Sequence, residues 1–396
     1  MNLKMPKSFP ILIATFFVGF GNFPYITIYG TVRYALLASL SLFIATKYKA
    51  VLKREYQSVN IILILLALSM TISSYTKLGS INSTRNYLLS SILFFISVIE
   101  VFLVIEYYAT QGKMHEVYSA FFLSILFLNI VTDYYIITQP NLYLSYGKVY
   151  LIGTKFAVAY SHIFMVFLYA LKRIPESHSF LTRVKALVLI LWSFFIIQNV
   201  DCNTGLIGLI IAVTLMIFTS KKTRLLYDPI LYLGIIFLST AFVITYTFVL
   251  NLSFIKNFVE NILGRSSELT GRTWIYGILG KVLMKNPFFG NGFGSSYDIM
   301  MNFQHGLLAP NTQNGLTEWL LEGGIVSTVI FLLLIGIIFS RAKKKSISYE
   351  LNLSCCILYT LAILASVEVT LNKSFYLSWL AIFWGSVIEK ELPDRY

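Results

Sequence analysis

The sequence predicts an all-α polytopic membrane protein of about twelve spanning helices. Three observations carry that expectation. Of its 396 residues, 57% are hydrophobic and 12% charged, against roughly 25% charged in a soluble domain. The mean hydropathy is +0.73, more than the cores of a soluble chain of this length could hide, because its domain surfaces would need charge. The excess of cations, Lys+Arg 31 against Asp+Glu 18, gathers in alternate connections, as expected of loops on one side of a membrane. The net charge of +13 is therefore read as topology and not as a nucleic-acid surface.

A spanning helix needs about 20 mostly apolar residues, ended by polar or turn residues. That rule gives segments at 8–23, 25–46, 59–75, 87–107, 117–137, 149–171, 185–199, 205–219, 230–250, 316–339, 351–370 and 375–389. With the N-terminus inside, the clusters Lys4/Lys7, Lys47/Lys49/Lys53/Arg54, Lys172/Arg173/Arg183/Lys185, Lys221/Lys222/Arg224 and Arg341/Lys343/Lys344/Lys345 all fall on the cytoplasmic side. Both termini are then cytoplasmic. The basic-then-apolar N-terminus lacks a small-residue cleavage site before Phe23-Pro24, which predicts a retained first helix. No internal repeat is evident.

Three regions follow: helices 1–9 over 1–250, an extracytoplasmic loop over 251–315, and helices 10–12 with a short tail over 316–396. A connection of that length is functional or disordered, and this one carries helical periodicity. Ile275, Leu279, Val282 and Leu283 recur at helical spacing with Lys281 and Lys285 on another face. Such a helix would lie along the membrane interface until Asn286-Pro287 stops it. Gly290-Asn-Gly-Phe-Gly294 reads as a flexible helix-terminating turn rather than a phosphate cradle, since no Gly-Lys-Ser/Thr follows.

Ionisable residues inside a bilayer cost about 2.5–3.5 kcal/mol on insertion scales, so each calls for a partner or a task. Several fall in outer halves of their spans: Arg33, expected to pair with an acid; Lys155, about six residues into the sixth span; Glu318 and Glu322, one helical turn apart; and Glu368. Asp201 caps the turn between the seventh and eighth spans. Together they predict a polar chamber open to the outside. His162 reads as a group bonding helix to helix, Glu100 as another, and Cys202 as a free thiol. In the long loop Arg265 and Arg272 bracket a polar stretch with His305 downstream, and a guanidinium fork suits a diphosphate. The three cysteines, Cys202, Cys355 and Cys356, have no disulfide or zinc spacing, and neither a metal nor a cofactor is expected.

Thr270-Gly-Arg272, Trp274, Asn286-Pro287, Gly290-Asn-Gly-Phe-Gly294 and the run from Asn314 to Glu322-Gly-Gly324 form an ordered set. In a long outer loop near the end of a polytopic chain, that set resembles the bacterial O-antigen polymerase and O-antigen ligase family. Gly153-Thr-Lys155-Phe156 with His162, and Asp201-Cys-Asn-Thr-Gly205, add to the resemblance. It implies a glycosyltransferase-C-like fold and transfer of a polyprenyl-diphosphate-linked oligosaccharide to a growing glycan acceptor on the outer leaflet. A flippase and a chain-length regulator are its implied partners, besides membrane lipid. Arg272 and Arg265 would grip the diphosphate, with Lys155 and Arg33 extending the cationic pocket and Asp201, Gln313, Asn314 and Glu322 contacting substrate. The chain departs from the pattern at Gln313-Asn314, where the family has His-Asn, and at Asn203-Thr204, where an arginine is missing. Glutamine cannot be a general base, which leaves His305, Glu318 or electrostatic positioning for that role. The departure favours a polymerase over a ligase. A transporter would show internal pseudo-symmetry and broken helices, neither of which is legible here.

Overall fold

The computed structural model describes residues 6–21, 23–51, 55–77, 86–141, 149–173, 180–219, 224–250, 253–257, 261, 272–304 and 311–389. Its helices are α1 (Phe9–Phe20), α2 (Ile28–Val51), α3 (Gln57–Thr76), α4 (Tyr87–Thr110), α5 (Met114–Thr138), α6 (Lys155–Arg173), α7 (Phe180–Asn199), α8 (Asn203–Phe218) and α9 (Pro229–Leu250). Then come the short α10 (Ser253–Asn257), α11 (Arg272–Leu283) and α12 (Ser296–Gln304), followed by α13 (Gly315–Lys343), α14 (Tyr349–Leu364) and α15 (Ser374–Glu389). A two-residue hairpin, β1 (Val149–Tyr150) with β2 (Gly153–Thr154), precedes α6.

A helix coincides with each apolar segment expected from the sequence. Among the described residues seven of them, α2 to α7 and α13, are long and apolar enough to cross a membrane, and α1, α8, part of α9 and α14 are shorter apolar helices. The architecture is an all-α, multi-helix fold of the kind polytopic membrane proteins have. Its outward faces agree: α3 buries Val59, Leu63, Leu66 and Met70 while Ile61, Leu65, Leu68 and Ile72 are exposed. So large a bare aliphatic stripe suits a lipid solvent better than water.

Spanning helices successive in the chain alternate in direction, which the contacts at the two ends of the bundle record. At one end Arg341, near the C-terminus of α13, donates to the Glu55 carbonyl at 2.6 Å and to Ser58 at 2.8 Å before and at the start of α3. There too Lys343 reaches Asp228 at 2.5 Å, ahead of α9, and the Met114 amide at the start of α5 donates to Glu389 in the last turn of α15. This end carries Lys47, Lys49, Lys172, Arg341 and Lys343. The Lys343 ammonium holds the partly exposed Asp228 carboxyl below the usual carboxylate range. At the other end Ser73, on α3, donates to the Glu322 carbonyl at 2.8 Å, and Lys155 of α6 reaches the turn after α7.

α14 and α15 sit at the centre. Trp379 donates its indole N–H to the Ser354 carbonyl at 2.8 Å, and Tyr232 of α9 donates to the Leu358 carbonyl at 3.0 Å. Deeper polar groups tie helices together, as buried polar atoms must. His162, fully buried on α6, lies 3.2 Å from Asp133 of α5, which also accepts from the Trp192 indole of α7 at 2.7 Å. The expected bonding role of His162 is met. Glu106 accepts from Asn60 at 2.9 Å and Trp384 at 2.6 Å, joining α3, α4 and α15.

Two of the boundaries that depart from the sequence expectation relocate a candidate residue. The sixth segment begins at Lys155, not 149, because the β-hairpin takes up the preceding residues and Gly153 adopts φ 117. Lys155 is therefore at the first residue of its helix and not six residues deep. The eleventh ends at Leu364, which places Glu368 in the α14–α15 connection.

Candidate functional site

The first turns of α13 are built by their own sequence. Asn314 caps the helix, its side-chain oxygen accepting from the Leu316 amide at 3.1 Å and the Thr317 amide at 3.0 Å, which satisfies two of the donors a helix start leaves unpaired. Its amide nitrogen donates to the Ser239 carbonyl of α9 at 3.1 Å. Glu318, 1% exposed, accepts from Ser296 at 2.6 Å, the Thr312 amide at 3.0 Å and the Thr312 hydroxyl at 2.9 Å. Three donors converge on one carboxylate, so Glu318 is a tie between α12, the 311–314 segment and α13. Glu322, one turn on, accepts from Asn372 at 3.3 Å and from the Gly294 amide.

The glycine run reaches this helix from outside. α13 breaks at Gly324 (φ 66, ψ −169), and the backbone of 287–292 fills the break. The Ile325 and Val326 amides donate to the Pro287 and Phe288 carbonyls at 2.8 and 3.1 Å, while the Asn291 and Gly292 amides donate to the Glu322 carbonyl at 3.1 and 2.8 Å. The Gly290 amide goes to Asn286 and the Phe293 amide to Ser74 at 3.0 Å. With every amide from Gly290 to Gly294 engaged inside the protein, the run has no donors to offer a phosphate. Its reading as a helix terminator is right in part, for it begins after α11 and then repairs a different helix.

α11 covers the same end. Ile275, Leu279 and Val282 are buried, and Ile275 and Val282 cluster with Ile299, Met300 and Leu321, so the apolar stripe read from the sequence packs onto protein. Arg272 is the first residue of α11, with its side chain outside the described residues. Arg265 and His305 lie outside them altogether.

Beside these elements lies a cavity of about 420 Å³, within the roughly 300–1,000 Å³ of small-molecule sites. Phe16, Phe20, Phe156, Phe164 and Phe375 supply much of its apolar wall; Asn311, Gln313, Glu368 and Lys373 add polar groups. Tyr160 also lines it, 2% exposed, with its hydroxyl lacking a hydrogen-bond partner among the described residues. Glu368 is 5% exposed, one carboxylate oxygen held by the Val369 amide at 3.0 Å.

The predicted residues are not gathered into one chamber. Gln313 faces the cavity, held in a left-handed conformation (φ 54) by bonds of its backbone amide and side chain to Asn311, both 2.9 Å. Glu318, Glu322 and Asn314 serve the start of α13. Lys155 donates to the Asp201 carbonyl at 2.8 Å, and Asp201, at φ 54, forms the expected turn over Cys202, whose thiol burial pushes up to about 11. Arg33 bonds to the Ser97 hydroxyl at 3.0 Å instead of to an acid. Glu100, the nearest carboxylate along α4, accepts from Ser41 at 2.5 Å, which makes it the expected helix-to-helix bond. Sequence reasoning passed over Tyr160 and Lys373. Their signal was a tyrosine five residues into a span that opens with a lysine, and a lysine isolated between two apolar segments.

Comparison of the chain with protein-family models, with curated proteins and with solved structures matched none of them.

Proposed function

We propose that the protein is a glycosyltransferase of the cytoplasmic membrane that polymerises polyprenyl-diphosphate-linked oligosaccharide repeat units into a surface polysaccharide, whether capsule, exopolysaccharide or O-antigen. In this reading the helices make twelve spans of a glycosyltransferase-C-like fold, both termini are cytoplasmic, and the 251–315 segment faces outward. The observation that carries it is the cavity. An aromatic and aliphatic wall suits isoprene units, and one carboxylate, one ammonium and two carboxamides suit a diphosphate and sugar hydroxyls.

The chemistry asks little beyond binding. A polyprenyl diphosphate is already a good leaving group, so cations that meet its developing charge and a base near the acceptor hydroxyl suffice. Neither metal nor cofactor is required for that step. Arg272 and Arg265 remain the candidate diphosphate grips, with Lys373 the described cation on the cavity wall. The tight employment of Glu318 by three donors weighs against it as the base.

The test is deletion in a producing strain. Loss of polymer, with single lipid-linked units accumulating on the outer leaflet and restored by the wild-type gene, supports the polymerase. Accumulation on the inner leaflet overturns it in favour of a flippase, the reading to which the break in α13 lends weight, since transporters build sites at discontinuous helices. Here protein backbone fills the break. Unlinked polymer in place of lost polymer would identify a ligase.

A further inference from the structure

A buried hydroxyl without a partner costs about 1–3 kcal/mol, so Tyr160 needs a reason. It is 2% exposed, its oxygen has no hydrogen-bond partner among the described residues, and it lines the cavity. Glu368 lines the same cavity and lies close enough for its charge to act on the Tyr160 phenol. Lys373 is five residues on, across the α14–α15 connection. Gln313, on the same cavity wall, completes the group.

We infer that this polar end of the cavity is the acceptor subsite, where Glu368 removes the proton from the acceptor sugar hydroxyl and the Tyr160 hydroxyl holds that sugar in place. The inference rests on the polymerase reading. As the acceptor O–H bond breaks, its proton passes to the Glu368 carboxylate, and the oxygen forms the new bond to the donor's anomeric carbon. The bond from that carbon to the diphosphate oxygen breaks, and its electron pair leaves with the diphosphate, whose growing charge the Lys373 ammonium meets. The proton on Glu368 is then released to water. The amide of Val369 fixes the carboxylate's orientation, as a positioned base requires. Tyr160 touches substrate without exchanging a proton, and its empty hydrogen bond is the one the sugar fills.

The experiment uses full-length protein in lipid vesicles and the undecaprenyl-diphosphate-linked repeat unit extracted from cells lacking the protein. Wild type polymerises the unit, and its kcat falls as pH drops and Glu368 protonates. Glu368→Gln lowers kcat by about 100-fold or more, leaves KM unchanged and abolishes that acid limb. Tyr160→Phe raises KM several-fold with kcat within about threefold of wild type, because the lost bond is made to the bound sugar. Size-exclusion profiles establish that each variant is folded. Should Glu368→Gln fail that criterion, Glu368→Asp decides: it retains the acid limb with a reduced kcat. Wild-type kcat in Glu368→Gln, or in Glu368→Asp in its place, overturns the inference while the polymerase stands. A wild-type protein that binds the unit without polymerising it overturns the polymerase reading and the inference with it.

Discussion

Gly290 and Gly324 meet backbone to backbone. A β-carbon on Gly290 would lie 2.5 Å from both the Glu322 carbonyl oxygen and the Gly324 nitrogen, and one on Gly324 would lie 2.3 Å from the Phe288 carbonyl oxygen. Both residues have φ 66. This contact joins the loop after α11 to α13 at its break, so the segment after α11 and the helix bundle are one unit at the candidate site.

Gly290→Ala and Gly324→Ala are each expected to destabilise the fold by more than the roughly 1–3 kcal/mol of a left-handed non-glycine residue, since the neighbouring atoms are backbone and cannot rotate away. Gly280→Ala in α11 is the contrast. It meets nothing within 4 Å, and alanine is about 1 kcal/mol better than glycine inside a helix. Thermal unfolding in detergent, followed by tryptophan fluorescence, should lower the midpoint for the first two and leave it equal or higher for the third.

Asn314 is part of a motif that suggests substrate contact, yet its side chain is spent on capping α13. Asn314→Ala should cost about 0.5–2 kcal/mol, and Asn314→Asp, which keeps the cap but turns an oxygen toward the Ser239 carbonyl in place of the amide donor, about 1–3 kcal/mol. The same unfolding measurement checks both. Catalytic loss in Asn314→Asp beyond its loss of folded protein would restore the substrate role.

Glu318 should behave as a tie. Hydrogen bonds to a charged group contribute about 1.5–3 kcal/mol, and Glu318→Ala leaves the Ser296 hydroxyl and the Thr312 amide without their acceptor. A loss of about 2–4 kcal/mol is expected, with polymer output, on the proposed polymerase reading, falling in proportion to folded protein in the membrane. Quantitative blotting beside polymer gels separates this from a catalytic defect, in which output falls at constant protein.

Helix positions were legible because they follow from local composition: a run of apolar residues such as 87–107 has no other way to satisfy its backbone in lipid. The stripe of Ile275, Leu279 and Val282 was legible for the same reason. The site was not. Glu322-Gly-Gly324 looks like the interior of one helix, and only the approach of 287–292 makes Gly324 a break. Tyr160, Gln313, Glu368 and Lys373 come from three separate stretches, and no periodicity marks residues that converge only when α6, α13 and α14 pack. Lys155 was placed too deep because a two-residue hairpin carries no hydropathy signal.

Cys202 offers a check on the packing at the rim of that region. Burial raises its thiol from 9.0 to about 11, while the ammonium of Lys155 pulls the other way. A raised thiol pKa means that folding favours the protonated form. Its stabilising contribution is complete below the unfolded value of 9.0 and is lost as pH climbs toward 11. At pH 8 the thiolate fraction is about 100-fold below that of an unperturbed thiol, and alkylation slows with it. N-ethylmaleimide should therefore leave the native protein almost unlabelled at pH 8, label it faster as pH approaches 11, and react freely after denaturation. Lys155→Ala removes the opposing charge and should slow native labelling further. Faster labelling in that variant would mean that Lys155 instead closes the turn by its bond to the Asp201 carbonyl, and that opening the turn exposes the sulfur.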